Sequence, residues 1–222
     1  VTALRLAHRG DWRRAPENTV PAMLAALRLP GCDGLEFDVR QSLDGVPVVV
    51  HDTTLARVQG LALAVADLTA TELDAIGVPS LATVLAAVGR APFLDIELKE
   101  SPTEAGLDVI RAARAAPGGG LIRAVVSSFD AEVLAAVGRR YPAWPRWLNT
   151  RDLEATTIGR ARDLGCDGIA ALWRVIDASS SDRVRAAGLT LAAYTVRRRP
   201  TLARLERLGV SAICVEGPAL DG

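Results

Sequence analysis

Two histidines, three acidic residues in strand-like runs and a single lysine are the side chains from which chemistry could be built. His8 and His51 are the only histidines among 222 residues. Each closes an apolar run, LRLAH and VPVVVH. Imidazoles titrate near neutral pH, so such a pair could serve as general base and general acid. Glu36 and Asp38 stand two apart in GLEFDVRQ, as do Glu97 and Lys99 in FLDIELK. A strand repeats every two residues, so the members of each pair share a face. Asp95 lies on the face of Glu97 and is a reserve candidate. Scattered acids usually pair with arginines at the surface, but these sit among apolar residues, where an unpaired charge is costly. Three inward carboxylates would repel one another without a cation, and an all-oxygen donor set suits one Mg²⁺ or Ca²⁺ rather than zinc or copper. Arg9 and Lys99 would add fixed positive charge for an anion such as phosphate. Together these residues are equipment for phosphoryl transfer.

The elements that must position them alternate. Eight strand candidates, at 4–9, 34–41, 93–99, 124–129, 146–150, 168–172, 189–196 and 212–217, are separated by segments with helical periodicity and caps. Asn18 is placed to cap TVPAMLAALRL, and Ser101 or Thr103 to start TEAGLDVIRAARAA. VPVVVHD (46–52) is a ninth extended piece, reached through the turn Leu43-Asp44-Gly45. GCDGLEF, GCDGIAA and GVSAICV echo one another, each with a glycine expected to end a helix and a cysteine packing nearby. The stretch 116–120 reads as a helix-to-strand loop. Regular alternation with eight strands implies an α/β fold closed as a (β/α)8 TIM barrel, whose chemistry sits where strands end. A doubly wound open sheet would call for G-x-G-x-x-G after a strand, which the chain lacks.

Composition sets the surroundings. With 26 basic against 26 acidic residues the net charge is 0, which supplies no field to hold a polyanion, so nucleic acid is not an expected partner. Half of the residues are hydrophobic, enough for one large core, and residues 1–222 are expected to form a single domain. No run approaches ~20 apolar residues, so no integral membrane association is expected. The opening VTALRLAHRG has no leader pattern, and three widely spaced cysteines suggest reduced thiols; the expected location is cytoplasmic. Of the 26 basic residues 25 are arginine, which singles out Lys99.

The blocks AHRGDWRRAPENTVPAML, GLEFDVRQSLDGVPVVVHDTTLAR and LDIELK, with weaker echoes at SSFD, AAYTV and VEGP, resemble the glycerophosphodiester phosphodiesterase family. That family is related to the phosphatidylinositol-specific phospholipases C on a distorted TIM barrel. The resemblance implies His8 and His51 as the catalytic pair, with His8 the first-step base and His51 the acid. It implies Glu36, Asp38 and Glu97 as ligands of one divalent cation, and Arg9 and Lys99 as substrate-binding residues. The implied reaction is hydrolysis of a small-molecule glycerophosphodiester to sn-glycerol 3-phosphate and an alcohol. A lysophospholipase D or phosphoinositide-type phosphodiesterase would use the same site, and an inactive ligand-binding barrel is the alternative of another class.

Departures from the pattern fall near the expected pocket. The insertion after the second strand is short. Tyr194 stands where an aromatic, commonly Trp, is usual, and is a further substrate-binding candidate. Val215-Glu216-Gly217-Pro218 replaces a T-D-x-P ending. Trp12, Arg13 and Arg14 could close over an anion or be solvated. Trp144, Trp147 and Trp173 are expected in packing, and Arg197-Arg198-Arg199 as a solvated loop.

Overall fold

The computed structural model describes residues 2–89, 92–115, 121 and 123–221; the loop expected at 116–120 lies outside them. Eight parallel strands close into a barrel: β1 (Leu4–His8), β2 (Gly34–Gln41), β4 (Phe93–Leu98), β5 (Ala124–Ser128), β6 (Arg146–Thr150), β7 (Gly168–Leu172), β8 (Thr190–Val196) and β9 (Ala212–Val215). Closure comes from β1 pairing with both β9 and β2. The ninth strand, β3 (Pro47–Val49), lies outside the ring, antiparallel to the end of β2.

Around the barrel run α1 (Val20–Leu27), α2 (Ala70–Ala75), α3 (Leu81–Val88), α4 (Glu104–Ala115), α5 (Ala131–Arg140), α6 (Ala155–Asp163), α7 (Ala178–Ala186) and α8 (Arg199–Arg207). The start of α4 is capped by Thr103, whose hydroxyl accepts from Gly106 N at 3.1 Å. For α1 the expectation fails: Thr19 is the cap, and Asn18, with φ 59°, turns its side chain to Asp38 instead. A buried carboxylate gains more from that amide than the exposed end of a helix does. Of the three echoing glycines, Gly165 and Gly209 take positive φ at helix ends, but Gly31 does not.

Strand parity divides the interior into two layers. Leu35, Phe37, Val39, Leu94, Ile96 and Leu98 face the helices in the main core. Their alternates point into the barrel. There Leu6, Val125, Trp147, Ala170, Ala192, Ala212 and Cys214 pack as a plug, and further along the same strands the inward residues become polar. Cys214, expected to pack near the glycine that ends the preceding helix, lies instead within the barrel; its even position in β9 sends it inward with Ala212. Trp144 and Trp147 are buried as expected, and Trp173 packs against the main core.

The insertion follows the β2–β3 hairpin. A bridge between Thr54 and Ala64, a 3₁₀ turn at Val65–Asp67 and α2 enclose a core of Val48, Val50, Leu55, Val65, Leu73 and Val78. A capping box between Thr69 and Glu72 starts α2. Short as it is, the segment is self-packed, and it holds the chain around His51 in place.

Candidate active site

Register aligns the candidate residues before any side-chain contact is considered. His8 is opposite Glu36, Glu36 opposite Asp95, and Asp38 opposite Glu97. Parallel neighbours in register bring their inward side chains to the same height, so three adjacent strands build one polar wall. One carboxylate oxygen each from Glu36, Asp38 and Glu97 lies within 4.8 Å of the others. All three residues are buried, Asp38 completely. Neither oxygen of Glu36 accepts a hydrogen bond from a described residue. Burial, reinforced by the charge of Asp38, holds Glu36 well above the usual carboxylate range and raises Glu97 as well. Asp95, the reserve candidate, is a neighbour of this trio but not one of its clustered oxygens. It accepts from Ser127 Oγ at 2.6 Å, and burial pushes it up to about 7. The trio offers only hard oxygen donors, and the buried, unpartnered oxygens of Glu36 within it fit a divalent cation of the Mg²⁺ or Ca²⁺ kind.

Asp38 is the hub of the opposing charges. Its oxygens lie 2.7 Å from Lys99 Nζ and 2.9 Å from Arg9 Nε, and Asn18 Nδ2 donates to it at 2.8 Å. Burial alone would raise its pKa, but Lys99 and then Arg9 outweigh burial and hold it below the carboxylate range. Lys99 also bonds Glu97. Arg9 reaches its place through left-handed backbone, φ 61°, an uncommon conformation for a side-chain-bearing residue. Gly10 follows at φ 83°, pressed so closely on α1 that an added Cβ would lie 2.6 Å from the carbonyl carbon of Ala22.

Each histidine has a carboxylate at Nδ1. His8 Nδ1 bonds Glu216, and its Nε2 lies 3.6 Å from Glu36 Oε2. A carboxylate can only accept, so Nδ1 carries the proton and the Nε2 lone pair is left for chemistry. Burial would raise Glu216, but the bond to His8 and the guanidinium of Arg197, 2.7 Å away, bring it down to about 2. Arg197 is exposed, as expected of a solvated loop, and is also tied to the site through Glu216. His51 Nδ1 bonds Asp52 at 2.6 Å, and Arg40 Nε donates to the His51 carbonyl at 2.7 Å. Behind Asp52 a relay of charges returns to Arg9. Arg57 Nε donates to Asp52 at 2.6 Å, its other nitrogens bond Glu17 at 2.7 and 2.8 Å, and Arg9 donates to Glu17 at 2.9 Å. His51 lies below the usual imidazole range, chiefly from burial, although Asp38 and Asp52 act against the shift.

These groups open into a cavity of about 250 Å³ lined by His8, Arg9, Glu36, His51, Glu97, Lys99 and Tyr194 among others. Tyr194 is in the lining as expected, its hydroxyl donating to the Thr150 carbonyl at 2.7 Å. The opposite wall contains Phe129, Asn149 and Arg151, which sequence reasoning did not single out. They lie in or just after β5 and β6, strands without an acidic residue or a histidine, so only the closed barrel places them across from His8. Glu216, Asp52, Glu17 and Arg57 were likewise missed as partners, although all four fall within the quoted motifs. Arg13 is bonded to both Asp11 and Asp221, while Trp12 beside it is 48% exposed.

The model of the glycerophosphoryl diester phosphodiesterase family matches residues 8–220. A glycerophosphodiester phosphodiesterase of Caldanaerobacter subterraneus is 35% identical over 113 residues, an alignment that spans 45% of this chain and 46% of that one, under half the length of that relative. The Bacillus subtilis protein YhdW is 26% identical over 230 residues, covering 96% of this chain and 94% of its own. Among solved structures, an Oleispira antarctica phosphodiesterase in complex with the product sn-glycerol-3-phosphate superposes with a TM-score of 0.84. It is 24% identical, with 96% of this chain and 93% of that one covered, a likeness of fold.

Proposed function

The chain belongs to the glycerophosphoryl diester phosphodiesterase family, and from that premise we propose that it hydrolyses glycerophosphodiesters to sn-glycerol 3-phosphate and an alcohol, using a divalent cation and the His8–His51 pair. The observation that carries this reading is the convergence of two carboxylate-backed imidazoles with Glu36 and Glu97 on one cavity, these two acids forming a buried trio with Asp38 behind them.

His8, its Nδ1 proton held by Glu216, takes the proton of the substrate hydroxyl that neighbours the phosphoester. That oxygen bonds to phosphorus as the bond to the departing alcohol breaks. His51 gives its proton to the alcohol oxygen. A depressed pKa makes the imidazolium of His51 a ready donor, and Arg57 favours this role by drawing on the charge of Asp52. In the second half the roles reverse: a water loses its proton to His51 and opens the cyclic phosphate, and His8 returns a proton to the released hydroxyl. Mg²⁺ or Ca²⁺ held by Glu36, Asp38 and Glu97 would supply Lewis-acid stabilisation of the charge that develops on the phosphoryl oxygens. Arg9 and Lys99 orient the phosphodiester, and Tyr194 borders its organic part. The substrate is a small molecule. We take residues 1–222 as one domain. No described helix is long and apolar enough to cross a membrane, and three free cysteines support a cytoplasmic location.

The test is release of glycerol 3-phosphate from glycerophosphocholine and glycerophosphoethanolamine in EDTA and after restoring Mg²⁺ or Ca²⁺. Activity lost to EDTA and rescued by one cation is expected, with His8→Ala and His51→Ala folded but inactive. EDTA-resistant turnover, or wild-type rates in both variants, would overturn the reading.

A further inference from the structure

The cavity has a second cationic wall that the proposed chemistry does not use. Arg151 follows β6 and is exposed, and it lines the same cavity as His8 and Lys99. Its guanidinium sits 5.6 Å over the ring of Phe129, which in turn meets Tyr194 edge-on at 5.6 Å. That aromatic pair is anchored by the Tyr194 hydroxyl on Thr150. Arg9 and Lys99 are both engaged by carboxylates. Arg151 has no hydrogen bond or ion pair with any described residue, so its donors are open to a ligand. Two residues earlier, within β6, Asn149 donates to Ser127, while its buried Oδ1 accepts nothing from a described residue.

A diester held by its phosphoryl group at Arg9 and Lys99 has two organic halves. The half that departs, and that varies in size, needs the open side of the cavity. Phe129, 43% exposed, and Arg151 form the open edge on the β5–β6 side. An aromatic pair there would attract a quaternary ammonium, but the guanidinium already covers one ring face and repels a second cation.

Resting on the phosphodiesterase reading above, we propose that Arg151 is a specificity residue that selects substrates whose alcohol half carries a second anionic group, with Asn149 Oδ1 accepting from a hydroxyl on the same half. The guanidinium fork donates two bonds to a phosphate or carboxylate, charge-assisted contacts stronger than neutral ones.

The experiment uses a matched pair, glycerophosphoinositol and glycerophosphoinositol 4-phosphate, which differ only in the added phosphate, with glycerophosphocholine as the cationic comparison. Wild type is expected to show kcat/KM about tenfold higher for the phosphorylated member, the scale of one charged hydrogen bond. Arg151→Gln should bring the ratio close to one, and Arg151→Glu should invert it and shift preference toward glycerophosphocholine. A wild-type ratio near one, or equal losses on all three substrates in Arg151→Gln, would overturn the assignment. Equal losses would mean that Arg151 serves the common phosphodiester. Turnover of none of the three by wild type with any cation would refute the reaction itself and the assignment with it, a pattern distinct from an unselective active enzyme.

Discussion

Replacing Glu36 by Gln tests the cation centre through stability rather than turnover. Glu36 is 4% exposed, accepts no hydrogen bond from a described residue, and shares a 4.8 Å cluster with Asp38 and Glu97. Two like charges at that distance repel by about 3.5 kcal/mol at an effective dielectric constant of about 20. The fold relieves part of this by favouring protonated Glu36, whose pKa is raised first by burial and then by Asp38. A group raised in the folded state supports folding below its ordinary pKa and loses that support as pH rises. At pH 8 the cluster therefore works against the fold.

Glu36→Gln removes one charge and adds an amide donor for its acidic neighbours. A gain of about 1–3 kcal/mol, or a Tm roughly 3–10 °C higher in EDTA at pH 8, is expected for a domain of this size. Wild type should recover a similar amount from a cation, since a ligand at a hundred times its Kd adds about 2.7 kcal/mol. Differential scanning fluorimetry with EDTA and with millimolar Mg²⁺ or Ca²⁺ reads both effects. The variant should start higher and respond little to the cation. A variant that melts below wild type in EDTA, and still gains the full wild-type increment from cation, would refute the account.

Three further outcomes follow from neighbouring contacts. Asp52 raises His51 against the effect of burial, so Asp52→Asn should move the His51 limb of the kcat/KM pH profile to lower pH; Arg57→Gln frees the charge of Asp52 and should move it higher. Limbs that shift in the same direction would contradict the relay. Asp95, pushed up to about 7, contributes stability at low pH that disappears as pH rises through that value, so metal-free Asp95→Asn should have a flatter stability–pH curve than wild type between pH 5 and 8 in denaturant titrations. Gly10→Ala places a methyl against the α1 backbone at a positive φ, and a loss of about 3 kcal/mol or more in urea unfolding is expected; a loss under about 1 kcal/mol would mean that the β1–α1 turn relaxes freely.

What could be read from the sequence, and what could not, divides along strand parity. Glu36, Asp38 and Glu97 were visible because each interrupts an apolar alternation, and an acid on an inward position demands an explanation that local sequence already poses. His8 and His51 were visible because they are the only two of their kind and each closes an apolar run. The barrel itself follows from eight alternations, each about one strand and one helix long. Asn18 was misread because local signals know only the nearest helix end: a side chain suited to cap α1 was drawn instead to a charge on β2, a contact that exists only after the ring closes between β1 and β2. Arg151 and Phe129 were invisible for the same reason in stronger form. Arginine is the common basic residue of this chain, and nothing in the sequence beside Arg151 distinguishes it from the chain's other exposed arginines. Its meaning depends on the distance across a barrel, from β6 to β1, that no local period encodes. Residues that hold the reacting centre thus announce themselves by breaking a pattern within their own strand. Residues at strand ends, where any side chain is tolerated, take the role proposed for them only from what faces them across the closed sheet.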